Sequence, residues 1–336
     1  MGTDDQAENH EARWMKRALE LAIDPRAPRG ENPRVGCVVL DSDGGVIGEG
    51  FHAGAGTAHA EVVALQQAGD AAQGGTAFVT LEPCRHTGRT GPCTQALIDA
   101  GIARVVYAQS DPTADAGGGA EVLREWGIEV LGGVEEDAAR EVNAEWTVAV
   151  ARGRPFVTAK LAVSLDGRVA GHGGRRVQLT GEIARNYAHE LRSQVQAIIT
   201  GTGTVLGDDP SLTVREVPVP PSGQPLRVVV GRRPIPQTAA VLDNAAPTWC
   251  VTDHDPASLL GDLYVRGVRY ALLEAGPTLL RAFLEAGCID RFDYLLASVW
   301  LGSGPRGLSP GIRVDAPAEV VDTRALGQDV LIRYAI

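Results

Sequence analysis

Residues 11–23, EARWMKRALELAI, repeat apolar side chains at three- and four-residue intervals, the spacing of one helix face. The period then drops to two. VGCVVLD and VIGEGFH flank the polar turn DSDGG, a pattern that predicts a β-hairpin. From residue 59 the two periods alternate through HAEVVALQQAG, TAFVTLE, CTQALIDAG, RVVYAQ, AEVLREWG and IEVLG. Alternation with short, glycine-ended connections predicts an α/β sheet covered by helices. One more helix is expected over roughly 134–151, before the proline of Arg152-Gly153-Arg154-Pro155. The extended run FVTAKLAVSLDG starts there, which places a domain boundary near residue 153 and divides the chain into 1–152 and 153–336.

The second part repeats the mixed style. AIITG, LRVVVG, TWCVT, VRYALLEAG and FDYLLASVWL read as strands, with helices at 181–194, 256–266 and 277–287. EVPVPPSGQP reads as a surface loop, and the C-terminal VVDTRALGQDVLIRYAI as two closing strands. A second α/β domain is expected.

Composition narrows the function classes. A length of 336 residues exceeds the usual single domain of roughly 100–200. The 31 basic and 42 acidic residues give a net charge of -11, which argues against unspecific attraction to nucleic acid or anionic membranes. No run of about 18 apolar residues occurs, and the polar start lacks the basic flank and apolar core of a signal peptide. The expectation is a cytoplasmic protein with a small-molecule substrate and neither nucleic acid nor membrane as partner. Five cysteines are too few for a disulfide framework, which leaves metal binding or burial. Lys16 and Lys160 are the only lysines, every other basic side chain apart from histidine being arginine.

His59-Ala60-Glu61 opens a predicted helix, and Cys84 and Cys93 follow the strand TAFVTLE. One imidazole and two thiolates leave zinc a fourth position open to water, the arrangement of a catalytic site. Zinc lowers the pKa of such a water toward neutrality, and Glu61 on the first helical turn can shuttle the protons. Other transition metals also accept these ligands, and a closed structural site or two buried core cysteines are the plainer alternatives. Neither gives Glu61 a task. Zinc nucleobase deaminases carry H-x-E and P-C-x-x-C; here eight residues rather than two separate the cysteines.

These residues resemble the bifunctional deaminase-reductases of riboflavin biosynthesis. The resemblance runs through Asn32 to Cys37, Gly50-Phe51-His52, His59-Ala60-Glu61 and Leu81 through Cys93. It implies an N-terminal cytidine-deaminase-like α/β/α domain in which His59, Cys84 and Cys93 hold zinc, Glu61 is catalytic, and Asn32, His52, His86 and Arg89 line the substrate pocket. It continues through Lys160 to Gly167, Gly201 to Pro210, Leu212 to Arg215 and Glu274 to Thr278, and covers roughly residues 11–336. This part implies a C-terminal dihydrofolate-reductase-like α/β domain that uses NADPH. Lys160 would be catalytic, its ammonium polarising a carbonyl during hydride delivery. Ala162, Gln178, Thr204, Asp208, Arg232, Gly276, Pro277 and Thr278 would meet the cofactor, and Arg176, Arg192, Leu212, Arg215 and Glu274 the substrate. EAGPT joins a strand to a helix whose free N–H groups suit phosphates, and guanidinium forks suit a ribose phosphate.

Three positions depart from the family pattern. Arg176-Val177-Gln178 stands where members carry Ser-x-Trp, Gln196 where many have aspartate, and Ser298 where many have proline. The resemblance implies zinc-dependent deamination of a pyrimidine ribose phosphate, then reduction of ribose to ribitol. A paralogue with an altered or inactive reductase is the alternative, as is a second domain turned binding or dimerising module. A nucleic-acid deaminase is disfavoured by the acidic charge. A homo-oligomer, dimer or tetramer, is expected from the resemblance and from the apolar strand FDYLLASVWL, long enough to offer an interface edge.

Overall fold

The computed structural model describes residues 3–87, 91–113, 116–252, 255–308 and 318–336. The chain divides into two compact units, Met1–Ala151 and Arg152–Ile336. In the first, α1 (Thr3–Ala22) leads to the hairpin β1 (Gly36–Leu40) and β2 (Val46–Phe51). Then follow α2 (Ala60–Ala68), β3 (Thr76–Leu81), α3 (Cys93–Asp99), β4 (Arg104–Gln109), α4 (Gly119–Glu125), β5 (Glu129–Gly132), α5 (Glu136–Val142) and α6 (Ala144–Arg152). The five strands lie in the order β2-β1-β3-β4-β5. The hairpin and the β1–β3 pair are antiparallel, and β3, β4 and β5 run parallel.

Strand alternation sorts the side chains into two cores. Val38, Leu40, Phe78 and Val106 meet Met15 and Ala18 of α1 and Ala139 of α5, whereas Val39, Val79 and Val105 meet Ala60, Ala64 and Leu97 on the opposite face. Helices therefore cover both faces, an α/β/α sandwich. Glycine sets the closest contact. A Cβ on Gly48 would stand 2.1 Å from the Ala64 carbonyl oxygen and one on Gly50 2.3 Å from that of Ala60, so only glycine lets α2 lie this near β2. That approach fixes where the start of α2 is held.

The helix expected over 134–151 is two helices broken at Asn143. Its amide binds like a strand residue: Oδ1 accepts from the Arg34 N–H (2.9 Å) and Nδ2 donates to the Arg34 carbonyl (2.9 Å). Trp146 Nε1 donates to the Glu31 carbonyl (3.0 Å). Together they anchor the segment that carries Asn32.

The second unit holds β6 (Phe156–Ser164), α7 (Glu182–Ser193), β7 (Ala197–Gly201), α8 (Thr202–Asp208), β8 (Leu226–Val230) and β9 (Thr248–Val251). It continues with α9 (Pro256–Val265), β10 (Tyr270–Leu273), α10 (Pro277–Glu285), β11 (Arg291–Ala297), β12 (Glu319–Leu326) and β13 (Asp329–Ala335). The sheet order is β12-β13-β11-β6-β10-β7-β8-β9. The strands from β11 to β9 are parallel, and β13 and β12 close the other edge antiparallel. Val157, Ile199 and Val228 pack with Leu259, Leu263 and Phe283 on one face; Ile198, Val229 and Leu272 pack with Tyr187 and Leu191 on the other.

Two expectations change here. α8 lies in the glycine-rich run that had no predicted helix, since glycine lowers helix propensity whatever the context supplies. β11, taken from FDYLLASVWL as an interface edge, is an interior strand paired with β6 and β13, and it ends at Ala297. Its apolar character comes from burial on both faces.

Asn143→Ala is expected to destabilise the first unit by about 1–3 kcal/mol, because two part-buried backbone groups of Arg34 lose their partners. Thr147→Val should cost little, since the buried Thr147 hydroxyl has no hydrogen-bond partner to lose. Urea unfolding of the two variants checks the contrast.

Candidate active sites

His59 is the N-cap of α2 and Glu61 sits in its first turn. Cys84 follows β3 by three residues, and Cys93 is the first residue of α3. The ends of two helices and a strand thus bring three donors together. His59 Nδ1 lies 3.1 Å from Cys93 Sγ and 3.6 Å from Cys84 Sγ, and all three ligand atoms fall within 4.8 Å of one another. Zinc–ligand bonds of about 2.0–2.3 Å in a tetrahedron imply edges of roughly 3.5–3.8 Å, so the donor set fits the ion. The Cys93 N–H also points at Cys84 Sγ (3.4 Å). The hydrogen bond between the two thiols lowers the pKa of Cys84 and raises that of Cys93, so the pair shares one proton, which a bound metal would displace.

A cavity of about 310 Å³ opens beside these donors, lined by His59, Glu61, Cys84, Asn32, His52 and His86 among others. Glu61 is 4% exposed, and burial raises its carboxyl above the ordinary range, as suits a group that must take and return a proton. His52, readable from sequence alone as a solvent-facing loop residue, is buried. Its Nδ1 faces the Ala58 carbonyl (3.1 Å) and its Nε2 the Asn32 amide (3.0 Å), a pairing that suits the neutral ring with the proton on Nδ1. Burial lowers its pKa and favours that form. His86 lies exposed at the cavity rim, and Arg89 lies outside the described residues.

Two acids of this cavity escaped the sequence reading. Glu82 is buried and accepts N–H groups from Gly118 (3.1 Å), Ala120 (2.9 Å) and Asp111 (3.3 Å), which holds the following loop against the site. Asp111 lines the cavity and its carboxyl is raised by burial. Their signal was weak, a single acid ending a strand and an Asp-Pro turn.

The second unit has a cavity of about 860 Å³. Lys160 and Ala162 reach it from β6, Arg176 and Gln178 from the segment after β6, and Arg192 from α7. Thr204 and Asp208 reach it from α8, Leu212 and Arg215 from the next loop, and Arg232 from the end of β8. Glu274, Gly276, Pro277 and Thr278 line it where β10 runs into α10. Ligand crevices in parallel sheets lie at such strand ends.

Glu274 organises this cavity. Its carboxylate, 8% exposed, meets Lys160 Nζ at 2.9 Å and Arg192 through Nε at 2.6 Å and Nη2 at 3.0 Å. Burial alone would raise its pKa, but the charges of Arg192 and then Lys160 hold it well below the carboxylate range. The sequence reading offered Arg192 to a substrate phosphate; its three nitrogens are engaged here, two by Glu274 and Nη1 by the Thr213 carbonyl (3.2 Å). The N–H groups expected free at EAGPT are also fewer, because Gly276 donates to Thr204 Oγ1 (3.2 Å) and Pro277 has none. His189, which sequence reasoning passed over, lines the wall and accepts the Arg215 N–H at Nδ1 (3.3 Å).

The departures from the family pattern have separate fates. Gln196 brackets a turn, accepting from the Arg269 N–H (2.7 Å) and donating to the Gly267 carbonyl (2.9 Å), a pair of roles an aspartate could not play. Ser298 donates to the Gln328 carbonyl. Neither is among the residues lining the cavity, whereas Arg176 and Gln178 are. Arg176 Nη1 donates to the Asp208 carbonyl (3.0 Å) and Gln178 Nε2 to that of Thr180 (3.2 Å).

A zinc-type donor set beside a buried glutamate in one α/β unit and a lysine-carboxylate cavity in another suit a deaminase joined to a reductase, the class that the family matches define. Residues 8–109 match the cytidine and deoxycytidylate deaminase zinc-binding region, and residues 155–332 match the RibD C-terminal domain. The chain is 44% identical over 291 residues to the riboflavin biosynthesis protein RibD of Mycobacterium tuberculosis, covering 86% of this chain and 85% of that protein. Against RibD of Escherichia coli the identity is 37% over 358 residues, covering 95% and 97%. The structure superposes on Acinetobacter baumannii RibD with a TM-score of 0.88 at 37% identity, covering 98% and 99% of the two chains. On a diaminohydroxyphosphoribosylaminopyrimidine deaminase/5-amino-6-(5-phosphoribosylamino)uracil reductase of Thermotoga maritima it gives 0.85 at 32% identity, covering 98% and 99%. The chain belongs to the RibD family of riboflavin biosynthesis enzymes, which join a zinc-binding deaminase domain to an NADPH-dependent reductase domain.

Cys93→Ser is expected to lose stoichiometric zinc on gel filtration, because the remaining imidazole and thiolate cannot hold it tightly. Metal analysis by plasma emission checks this, and zinc retained at wild-type stoichiometry contradicts the assigned donor set.

Proposed function

We propose that residues 1–152 hydrolyse the 2-amino group of 2,5-diamino-6-ribosylamino-4(3H)-pyrimidinone 5′-phosphate and that residues 153–336 reduce the ribose of the product to ribitol. The observation that carries this reading is the pairing, within one chain, of the His59–Cys84–Cys93 donor set beside Glu61 with the Lys160–Glu274 ion pair in a second cavity. When bound, zinc supplies Lewis-acid activation of the attacking water. Glu61 takes a proton from that water and returns it to the departing amine, so ammonia leaves. Asn32 and His52, hydrogen-bonded to each other, orient the pyrimidine at the cavity wall.

NADPH supplies the hydride in the other half. Lys160 polarises the carbonyl of the opened ribose and gives a proton to its oxygen. Glu274 holds that ammonium in place, while Arg192 offsets the second half of the carboxylate. Arg215 is exposed at the cavity and suits the substrate phosphate. None of the helices among the described residues is long and apolar enough to cross a membrane. The chain acts in the cytoplasm as a homo-oligomer, a dimer or tetramer, which light scattering tests.

Glu61→Gln should retain zinc and lower ammonia release by about 10²–10⁴-fold. Ammonia release at the wild-type rate would remove the deaminase mechanism. Lys160→Ala should spare ammonia release and suppress NADPH oxidation; a paired assay on the pyrimidine ribose phosphate reads both signals. NADPH oxidation unchanged in this variant contradicts the role of Lys160.

A further inference from the structure

α7 turns one face to the larger cavity, where Ala184, Arg185, Ala188, His189 and Arg192 line the wall at helical spacing. His189 sits on this face between the two arginines and is 7% exposed. Its two ring nitrogens are used unequally. Nδ1 accepts the backbone N–H of Arg215 at 3.3 Å. A proton on Nδ1 would set two donors against each other, so the neutral ring carries its proton on Nε2. Burial, followed by the charges of Arg192 and Arg215, lowers the pKa of this ring against the opposing pull of Glu216 and Glu274, which keeps it neutral. Nε2 has no hydrogen-bond partner among the described residues. A buried N–H left unpaired costs roughly 1–3 kcal/mol, which an acceptor brought into the cavity by a ligand would remove.

The surroundings specify the charge of that acceptor. Seven lysine and arginine side chains and two carboxylates line the cavity, and one of the carboxylates, Glu274, is already offset by Lys160 and Arg192. Such a field favours an anionic oxygen over a neutral carbonyl. The ring is also tied to the segment that carries Arg215. Arg192 Nη1 holds the Thr213 carbonyl (3.2 Å), Gln224 brackets Val214 through Oε1 (2.8 Å) and Nε2 (2.9 Å), and His189 holds the Arg215 N–H. Three consecutive residues are thereby pinned, which fixes Arg215 relative to the imidazole.

We propose that His189 binds the reductase substrate, donating from Nε2 to an oxygen of its phosphate beside Arg215 while Nδ1 holds the Arg215 backbone. The inference rests on the ribose-phosphate reading above and deepens it to one residue. Two substitutions separate the two nitrogens. His189→Asn places an acceptor where Nδ1 stands and nothing at Nε2, whereas His189→Gln places an N–H where Nε2 stands and no acceptor at Nδ1. The test measures NADPH oxidation by the full-length proteins on the deaminated pyrimidine ribose phosphate and on its dephosphorylated form, with ammonia release as the check on folding. In the asparagine variant, kcat/KM should fall on the order of ten- to a hundredfold for the phosphorylated substrate, mostly through KM, and about threefold or less for the dephosphorylated one. The glutamine variant should keep the preference for the phosphorylated substrate, while hydrogen exchange at the Arg215 amide quickens in it and stays slow in the asparagine variant. A preference for phosphate retained by the asparagine variant, or lost equally in both variants, overturns the assignment and leaves the reductase reading intact. A wild type that reduces neither substrate overturns both.

Discussion

Burying charge is expensive unless every charged atom finds a partner, and the placement of functional groups in both halves follows from that constraint. Glu274 could not remain a carboxylate in its position without Lys160 and Arg192, and Lys160 gains a fixed geometry from the same pair. Arg227, fully buried, is satisfied by the carbonyls of Ser211, Ala240, Asp243 and Ala246 together with Asp243 and Thr248 side chains. In doing so it ties down the loop that leads to Leu212 and Arg215. Glu82 does the same for the deaminase half with backbone N–H groups instead of cations. The ionic partners thus stiffen the walls of the sites they border.

Much of this was legible in the sequence. Period-two strands and period-3.6 helices located nearly every element, because each strand alternates between two helix layers or is buried on both faces. His59, Glu61, Cys84 and Cys93 were legible because few other tasks require those residue types at that spacing. Long-range pairing was not legible. Asn143 breaks a helix whose pattern reads as continuous, since its amide is drawn off by Arg34 more than a hundred residues away. The apolar run at 292–301 looked like an edge because sheet order cannot be read from hydrophobicity.

The same limit explains the reductase cavity. Glycine at 203 and 207 hid α8, although the sheet and the neighbouring loops hold that helix irrespective of its propensity. Arg192 read as a phosphate ligand because its type fits one; that it also pairs with Glu274, which follows β10 and lies 82 residues later in the chain, is a long-range contact that residue type does not reveal. The departures at Gln196 and Ser298 looked alike in sequence to that at Arg176–Gln178. Only their positions separate structural from cavity-facing differences.

The scarcity of lysine acquires a chemical meaning from the two environments. Lys16 is 65% exposed and pairs loosely with Glu135, whereas Lys160 is 17% exposed and held by Glu274. An amine-directed acylating reagent therefore meets one accessible lysine and one shielded lysine. Labelling of the two lysine side chains, followed peptide by peptide, separates into a fast modification at Lys16 and a slow one at Lys160. The slow modification reports on release of Lys160 from its pairing with Glu274.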